Sequence, residues 1–120
     1  MSDDCRITEM LGYQRDTRLL IINADDFDMC HAQNEGTIRS IDAGMATFCS
    51  LMPTTPWHLH AAHFLREHPE LSFSIHLTAL SEYVHYRWAP LLPAQQIPSL
   101  VDEEKFFYAD DRMIHLVQSA

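Results

Sequence analysis

Positive charge is scarce in this sequence: 8 lysine and arginine residues stand against 17 aspartate and glutamate residues, giving a formal net charge of −9. A surface that binds a nucleic-acid backbone, or a polybasic contact with a membrane, requires clustered positive charge. The composition therefore argues against nucleic acid as a partner and against electrostatic attachment to a membrane.

Cysteine is equally scarce, because the chain has only Cys5, Cys30 and Cys49, and no two of them form a Cys-x-x-Cys pair. Neither a disulfide framework nor a zinc ribbon is indicated, and a reducing cytoplasm fits this usage best. Residues 1–17 lack a continuous apolar run, so they resemble neither a signal peptide nor a membrane span. We predict that they form a poorly ordered lead-in.

Apolar residues, in contrast, make up 47% of the 120 residues, enough to bury one core and to predict a single domain or part of one. The run Leu19–Ile22 predicts a strand buried on both faces, as in a parallel sheet covered by helices. Such a strand delivers Asp25 and Asp26 to the carboxyl edge of the sheet, where α/β folds place their sites. Taken alone, two acids after a strand are more typical of a turn or a helix N-cap.

The rest of the pattern predicts an α/β fold in which parallel strands alternate with helices. The predicted elements are, in order, a helix over residues 28–44, a strand over 46–52, a helix over 56–68, a strand over 71–78, a turn with a short strand over 101–107, and a helix over 110–118. Gly44 supplies the stop of the first helix, while Thr55 and Pro56 supply the cap and first position of the second.

Regular patterning is lost from Ala79 onward, where prolines interrupt the chain and indicate a long structured loop. Its aromatic residues Tyr83, Tyr86 and Trp88 could line a sugar-sized pocket, although such residues as often serve simple packing.

The predicted strand over 71–78 places His76 at its carboxyl end, the same relative position as Asp25 and Asp26. Adjacent side chains of an extended segment point to opposite faces, so the two acids need not share one environment. One carboxylate can then bind a metal while the other holds or takes a proton. Without further signals, His76 is more typical of a hydrogen-bonded histidine at a strand end.

Two other groups compete for a role. His60 and His63 share a helical face next to His58, but solvent-facing or capping roles are more typical of such histidines than a metal site. Cys30 and Cys49 lack an obvious paired base, which favours packing over nucleophilic chemistry.

Four short stretches carry a more specific signal through their order and spacing. They are Asn23-Ala24-Asp25-Asp26-Phe27, Cys49-Ser50-Leu51-Met52, His68-Pro69-Glu70-Leu71 and His76-Leu77-Thr78. From about Arg18 to about Tyr108 the chain resembles the amino-terminal part of the YdjC-like carbohydrate deacetylase family.

The resemblance implies a metal-dependent hydrolase on a distorted (β/α) barrel that removes acetyl groups from N-acetylated amino sugars or oligosaccharides. It assigns Asp26 and His76 to a divalent ion, Mg or Zn, and Asp25 to the role of catalytic base. These assignments agree with the positions expected from the predicted strands.

The sequence departs from the family in two respects. Asp28 stands where the family usually has glycine, and aspartate is one of the few other residues that tolerate positive φ. The chain also reaches only about half of the length of a barrel of about 250 residues. The second metal histidine of the family would lie beyond Ala120.

We therefore expect residues 18–120 to form a partial, truncated deacetylase domain with impaired activity, because two protein ligands hold a divalent ion weakly. Sheet edges and apolar surface would be exposed unless a partner, such as a second copy in a homo-oligomer, covers them. The alternatives are a non-catalytic sugar-binding fragment, a half-domain completed by another chain, or a metal-dependent hydrolase acting on a different amide.

Overall fold

The computed structural model describes residues 4–110, which contain three helices and three strands. The elements are α1 (Asp4–Met10), β1 (Asn23–Phe27), α2 (His31–Asp42), β2 (Phe48–Leu51), α3 (His58–Glu67) and β3 (Phe73–Ile75). Two short 3₁₀ helices, Ala94–Gln96 and Pro98–Leu100, follow in the loop region. No helix within the described range is both long and apolar enough to cross a membrane.

The three strands form one parallel sheet in the order β1-β2-β3, with Ala24 opposite Cys49 and Ser50 opposite Ser74. The predicted α/β class, with parallel strands alternating with helices, is confirmed. This arrangement is consistent with part of a (β/α) barrel. The division of the chain at residue 17 stays a prediction, and α1 lies within the proposed lead-in.

The prediction that Leu19–Ile22 is the first buried strand was wrong. The strand begins at Asn23, and the preceding run lies on the surface, with Leu20 78% and Ile21 74% exposed. Among residues 4–110, β2 flanks β1 on one side and no strand flanks the other, so the run is not enclosed as a central strand would be. Because β1 begins at Asn23, Asp25 and Asp26 are part of the strand itself and do not merely follow it.

The first two predicted helices are present, but they begin later than expected. Helix α2 begins at His31 and is followed by Gly44 at φ 68°, the stop that the sequence predicted. Helix α3 begins at His58, so the predicted cap at Thr55 was wrong. The Thr55 hydroxyl instead donates to Met52 O at 2.7 Å, which closes a turn directly after β2.

Strand β3 is shorter than predicted, and its apolar residues are not covered by other parts of the described structure. Phe73 and Ile75 are each about half exposed, and Leu77, beyond the strand end, is 88% exposed. Among residues 4–110, β2 is the strand that pairs with β3, so the other edge of β3 is open.

Two clusters form the core, one between sheet and α3 and one beneath the long loop. The first contains Phe27, Cys49, Leu51, Ala61 and Leu65, and the second contains Met52, Trp88 and Phe107. A long loop runs from Ala79, as predicted, but the short strand predicted within 101–107 is reduced to a single antiparallel bridge between Val101 and Phe107. The helix predicted over 110–118 lies, apart from Asp110, outside the described residues.

Candidate metal and catalytic site

An irregularity in β1 brings both acids to one place. The register between β1 and β2 shifts between Ala24 and Phe27, and Asp26 adopts a left-handed backbone with φ 57°. Such a bulge breaks the alternation of side chains along a strand. Both Asp25 and Asp26 therefore approach His76, so the expectation that they would face opposite sides of the sheet does not hold.

His76 follows directly after β3 and lies between the two acids. Its Nδ1 is 3.4 Å from Asp25 Oδ1 and 3.3 Å from Asp26 Oδ1. This nitrogen is buried and makes no hydrogen bond, although it lies within ion-pair distance of both oxygens. The backbone N–H of His76 donates to Leu51 O at 2.7 Å, which fixes the residue to the end of β2.

The geometry fits a cation. One ligand atom from each of Asp25, Asp26 and His76 lies within 4.8 Å of the other two. An imidazole nitrogen without a hydrogen bond, facing two carboxylate oxygens, is the donor set that a divalent ion uses in proteins. Among the described residues, the sequence-predicted metal pair and the predicted base thus converge on one point.

Asp25 is held by a short chain of polar contacts from β1 and β2. The Ser50 hydroxyl donates to Asp25 Oδ1, and the Asn23 side-chain amide donates to Ser50 Oγ at 3.2 Å. The side chain of Asp25 is nevertheless 60% exposed. It is therefore oriented and also open to water.

Asp26 divides its two oxygens between different partners. Its Oδ1 faces His76, and its Oδ2 accepts a hydrogen bond from Tyr83 Oη at 3.1 Å. Sequence reasoning placed Tyr83 among loop aromatics and missed this contact, because no local pattern links positions 57 residues apart. Trp88, grouped with it as a pocket residue, is instead buried in the core.

Comparison with known proteins supports the resemblance found in the sequence. The model of the family described as YdjC-like protein matches residues 19–119. The chain belongs to the YdjC-like family. The relatives it matches are named carbohydrate deacetylases, so the predicted family is confirmed.

Two relatives illustrate how far the YdjC-like match extends. A carbohydrate deacetylase of Enterococcus faecalis is 38% identical over 90 residues, covering 74% of this chain and 33% of the relative. One from Geobacillus stearothermophilus is 33% identical over 90 residues, covering 75% of this chain and 33% of the relative. The chain thus spans about a third of the length of the curated relatives it matches.

A solved crystal structure has the same fold over the matched part. It is of a protein from Enterococcus faecalis V583 to which cleavage of cellobiose-phosphate has been ascribed. It superposes with a TM-score of 0.69 at 34% identity, covering 79% of this chain and 35% of that one. The YdjC-like arrangement of strands and helices is therefore shared with a solved structure.

The YdjC-like chain tolerates its unusual Asp28 through backbone geometry and a buried pair. Asp28 has φ 98°, in the left-handed region that favours glycine and that aspartate is one of the few other residues to tolerate. Its side chain is fully buried, with Oδ2 2.8 Å from His58 Nδ1, and its backbone N–H donates to Asn34 Oδ1 at 2.8 Å. Burial raises the pKa of Asp28, and the hydrogen bond and charge of His58 offset part of that rise.

The competing groups do not form sites. His58 binds Asp28, while Nδ1 of His60 lies 3.2 Å from the Asn34 amide and His63 is 3.5 Å from Glu67, so these histidines do not converge. Cys49 is fully buried, and burial together with the charge of Asp28 raises the pKa of its thiol to about 11. A thiol that stays protonated is a poor nucleophile, in agreement with the packing role predicted for Cys49.

An open groove of about 260 Å³ borders His76. Its lining residues are Pro53, Thr54, Ile75, His76, Leu77, Thr78, Ala79, Leu100 and Phe107. The hydroxyls of Thr54 and Thr78 lie 3.3 Å apart at its wall. The groove therefore reaches the candidate site at His76 and not at the two acids, and most of its lining is apolar.

Proposed function

We propose that this chain carries part of the active site of a metal-dependent carbohydrate deacetylase, which removes the acetyl group from N-acetylated amino sugars. The observation that supports the proposal best is the convergence of Asp25, Asp26 and His76 within 4.8 Å, with His76 Nδ1 buried and without a hydrogen bond. The names of the homologues support a deacetylase-like function.

Asp26 and His76 would hold the divalent ion, Mg or Zn. A carboxylate oxygen suits either ion and an imidazole nitrogen favours zinc. When bound, such an ion polarises the acetyl carbonyl and lowers the pKa of a bound water. With two residues of this chain as ligands, the ion would be held weakly, which supports the expectation of impaired activity.

Asp25 would act as the base. Its carboxylate is largely exposed and accepts a hydrogen bond from Ser50, so it is oriented without being closed off from water. It can take the proton of the water whose oxygen attacks the carbonyl carbon. The groove beside His76 offers apolar side chains to the acetyl methyl group and the faces of a sugar ring.

The proposal is tested by measuring acetate released from a short chitooligosaccharide with added Mg²⁺ or Zn²⁺. We expect slow, metal-dependent release that His76→Ala abolishes and that His85→Ala, a change at an exposed loop histidine, leaves unaltered. Asp25→Asn should retain metal binding while losing release.

Three outcomes would change the proposal. Fast turnover that still depends on His76 would contradict impairment. Binding of the sugar without release of acetate would favour a non-catalytic sugar-binding role, and release of acyl groups only from simple amides would favour a different amidohydrolase. A cytoplasmic location and a homo-oligomeric state stay predictions from the sequence.

A further inference from the structure

The loop after β3 carries a tyrosine that reaches the candidate metal carboxylate. Tyr83 Oη lies 3.1 Å from Asp26 Oδ2. An ionised carboxylate only accepts hydrogen bonds, so the phenol is the donor.

This hydrogen bond fixes which oxygen of Asp26 is presented to His76. The terminal torsion of an aspartate side chain has broad minima, so either oxygen can be turned inward when nothing holds the group. Here Tyr83 holds Oδ2, and Oδ1 lies 3.3 Å from His76 Nδ1. Because Asp26 has a left-handed backbone, the usual alternation of side chains along a strand does not determine where its carboxylate points.

The loop itself is fastened to the core, so Tyr83 is held in place. Its ring centre lies 6.1 Å from that of Trp88, which is buried. The Trp88 indole N–H donates to Thr78 O at 3.2 Å, and its backbone N–H donates to Ser81 Oγ at 2.9 Å. These bonds anchor the segment on both sides of Tyr83.

We propose that Tyr83 is a positioning residue of the metal site, acting through Asp26 and not by contact with the ion. The inference rests on the proposed function, because it assumes that Asp26 and His76 bind a divalent ion. Removing an outer partner of a metal ligand typically weakens metal affinity about 10–100-fold. Since Tyr83 is partly exposed, we expect a smaller loss than that range, about 3–10-fold.

The test is titration of the chain with Mn²⁺, following the dissociation constant by calorimetry and by loss of the free-ion paramagnetic resonance signal. Tyr83→Phe removes only the hydroxyl and keeps the ring beside Trp88. Tyr86→Phe is the matched control, because Tyr86 lies in the same loop, is half exposed and leaves the Tyr83–Asp26 bond in place. Thermal unfolding of each variant reports on structure independently of metal.

The expected result is weaker Mn²⁺ binding by Tyr83→Phe alone, with an unchanged melting temperature in the absence of metal. If Tyr83→Phe binds Mn²⁺ as tightly as the unchanged chain or more tightly, the inference is overturned and the proposed function still stands. The same conclusion follows if Tyr83→Phe binds Mn²⁺ more weakly but also has a lower melting temperature without metal. If the unchanged chain binds no Mn²⁺ and no Zn²⁺, the metal site itself is wrong and the role of Tyr83 falls with it.

Discussion

Asp28 occupies a backbone conformation that glycine adopts freely and most other residues avoid. Asp28 has φ 98°, lies directly after β1 and begins the turn into α2. The same residue buries a carboxylate that has one oxygen against His58 and the other without a hydrogen bond. The strained backbone of Asp28 therefore lowers the stability of the fold, while the hydrogen bond between its side chain and His58 raises it.

Comparing Asp28→Gly with Asp28→Ala isolates the backbone term, because both variants lose the carboxylate. Alanine is strained at positive φ, and this strain exceeds the entropy that glycine loses on folding. We expect the glycine variant to be more stable by about 1 kcal/mol, measured by urea unfolding. Equal stabilities would indicate that the turn relaxes out of the left-handed region when the His58 bond is removed.

At the scale of single residues, the sequence predicts the chemistry better than the geometry. Asp25, Asp26 and His76 could be selected because each comes near the carboxyl end of a predicted strand. Their convergence depends on the bulge in β1, which no residue pattern announces. Tyr83 could not be selected at all, since its partner is set by how a long loop folds back.

Arg87 joins the long loop to the segment 101–107. Its guanidinium donates to Asp102 Oδ2 at 2.5 Å and to Phe107 O at 2.7 Å, and it lies 5.0 Å from the ring centre of Phe106. Phe107 packs with Trp88 in the second core cluster. One arginine thus connects the loop that carries Tyr83 to its support.

The stabilisation by this contact should depend on pH through Asp102. Desolvation alone would raise the pKa of Asp102, but hydrogen bonds from Arg87 and from the backbone N–H groups of Phe106 and Glu104 outweigh it and hold the pKa below its ordinary value of 3.8. Because the folded pKa is below the unfolded one, the stabilisation is present above pH 3.8 and is lost as the pH falls through the folded value.

We therefore expect the unchanged chain to have a higher free energy of unfolding than Asp102→Asn at neutral pH. The difference between the two free energies should narrow below pH 3.8. Urea unfolding at a series of pH values measures this difference. Glu103→Gln, at an exposed neighbour, serves as the control and should show no such trend. If the difference in free energy of unfolding between the two proteins does not change with pH, the ionised carboxylate of Asp102 is not the cause of that difference.

At the scale of elements, type and order were predictable and boundaries were not. Apolar periodicity located α2, α3 and β2 within a few residues. It misplaced β1, since the most apolar run, Leu19–Ile22, precedes a strand whose own residues are largely polar. The start of α3 was missed because the Thr55 hydroxyl bonds back to Met52 O in place of capping the helix.

At the scale of the molecule, the sheet formed by residues 4–110 has two open edges and an apolar surface on the β3 side. Phe73 and Ile75 on β3 and Leu77 just beyond it are half or more exposed, and backbone groups on the outer edge of β3 are unpaired within residues 4–110. Edges of this kind pair readily with other chains. The exposure expected from the sequence for a partial barrel is thus present.

We expect the chain to self-associate in a concentration-dependent way through the β3 side. Leu77→Lys should reduce association, because it places a charge on that surface, whereas Leu59→Lys, at a similarly exposed leucine of α3, should have little effect. Sedimentation velocity over a range of concentrations measures this. A monomer at all concentrations, or equal effects of the two variants, would contradict a contact at this edge.

The position of Ser50 sets the width of the candidate site. β1 and β3 are separated by β2, so the strands that carry the acids and the histidine lie roughly 9–10 Å apart. Ser50 lies on this middle strand, is buried and donates its hydroxyl to Asp25, so a larger side chain there would crowd the space between Asp25 and His76. Position 50 therefore acts as a spacer as well as a hydrogen-bond donor, and its side-chain volume would decide whether β1 and β3 can share the ion proposed for this site.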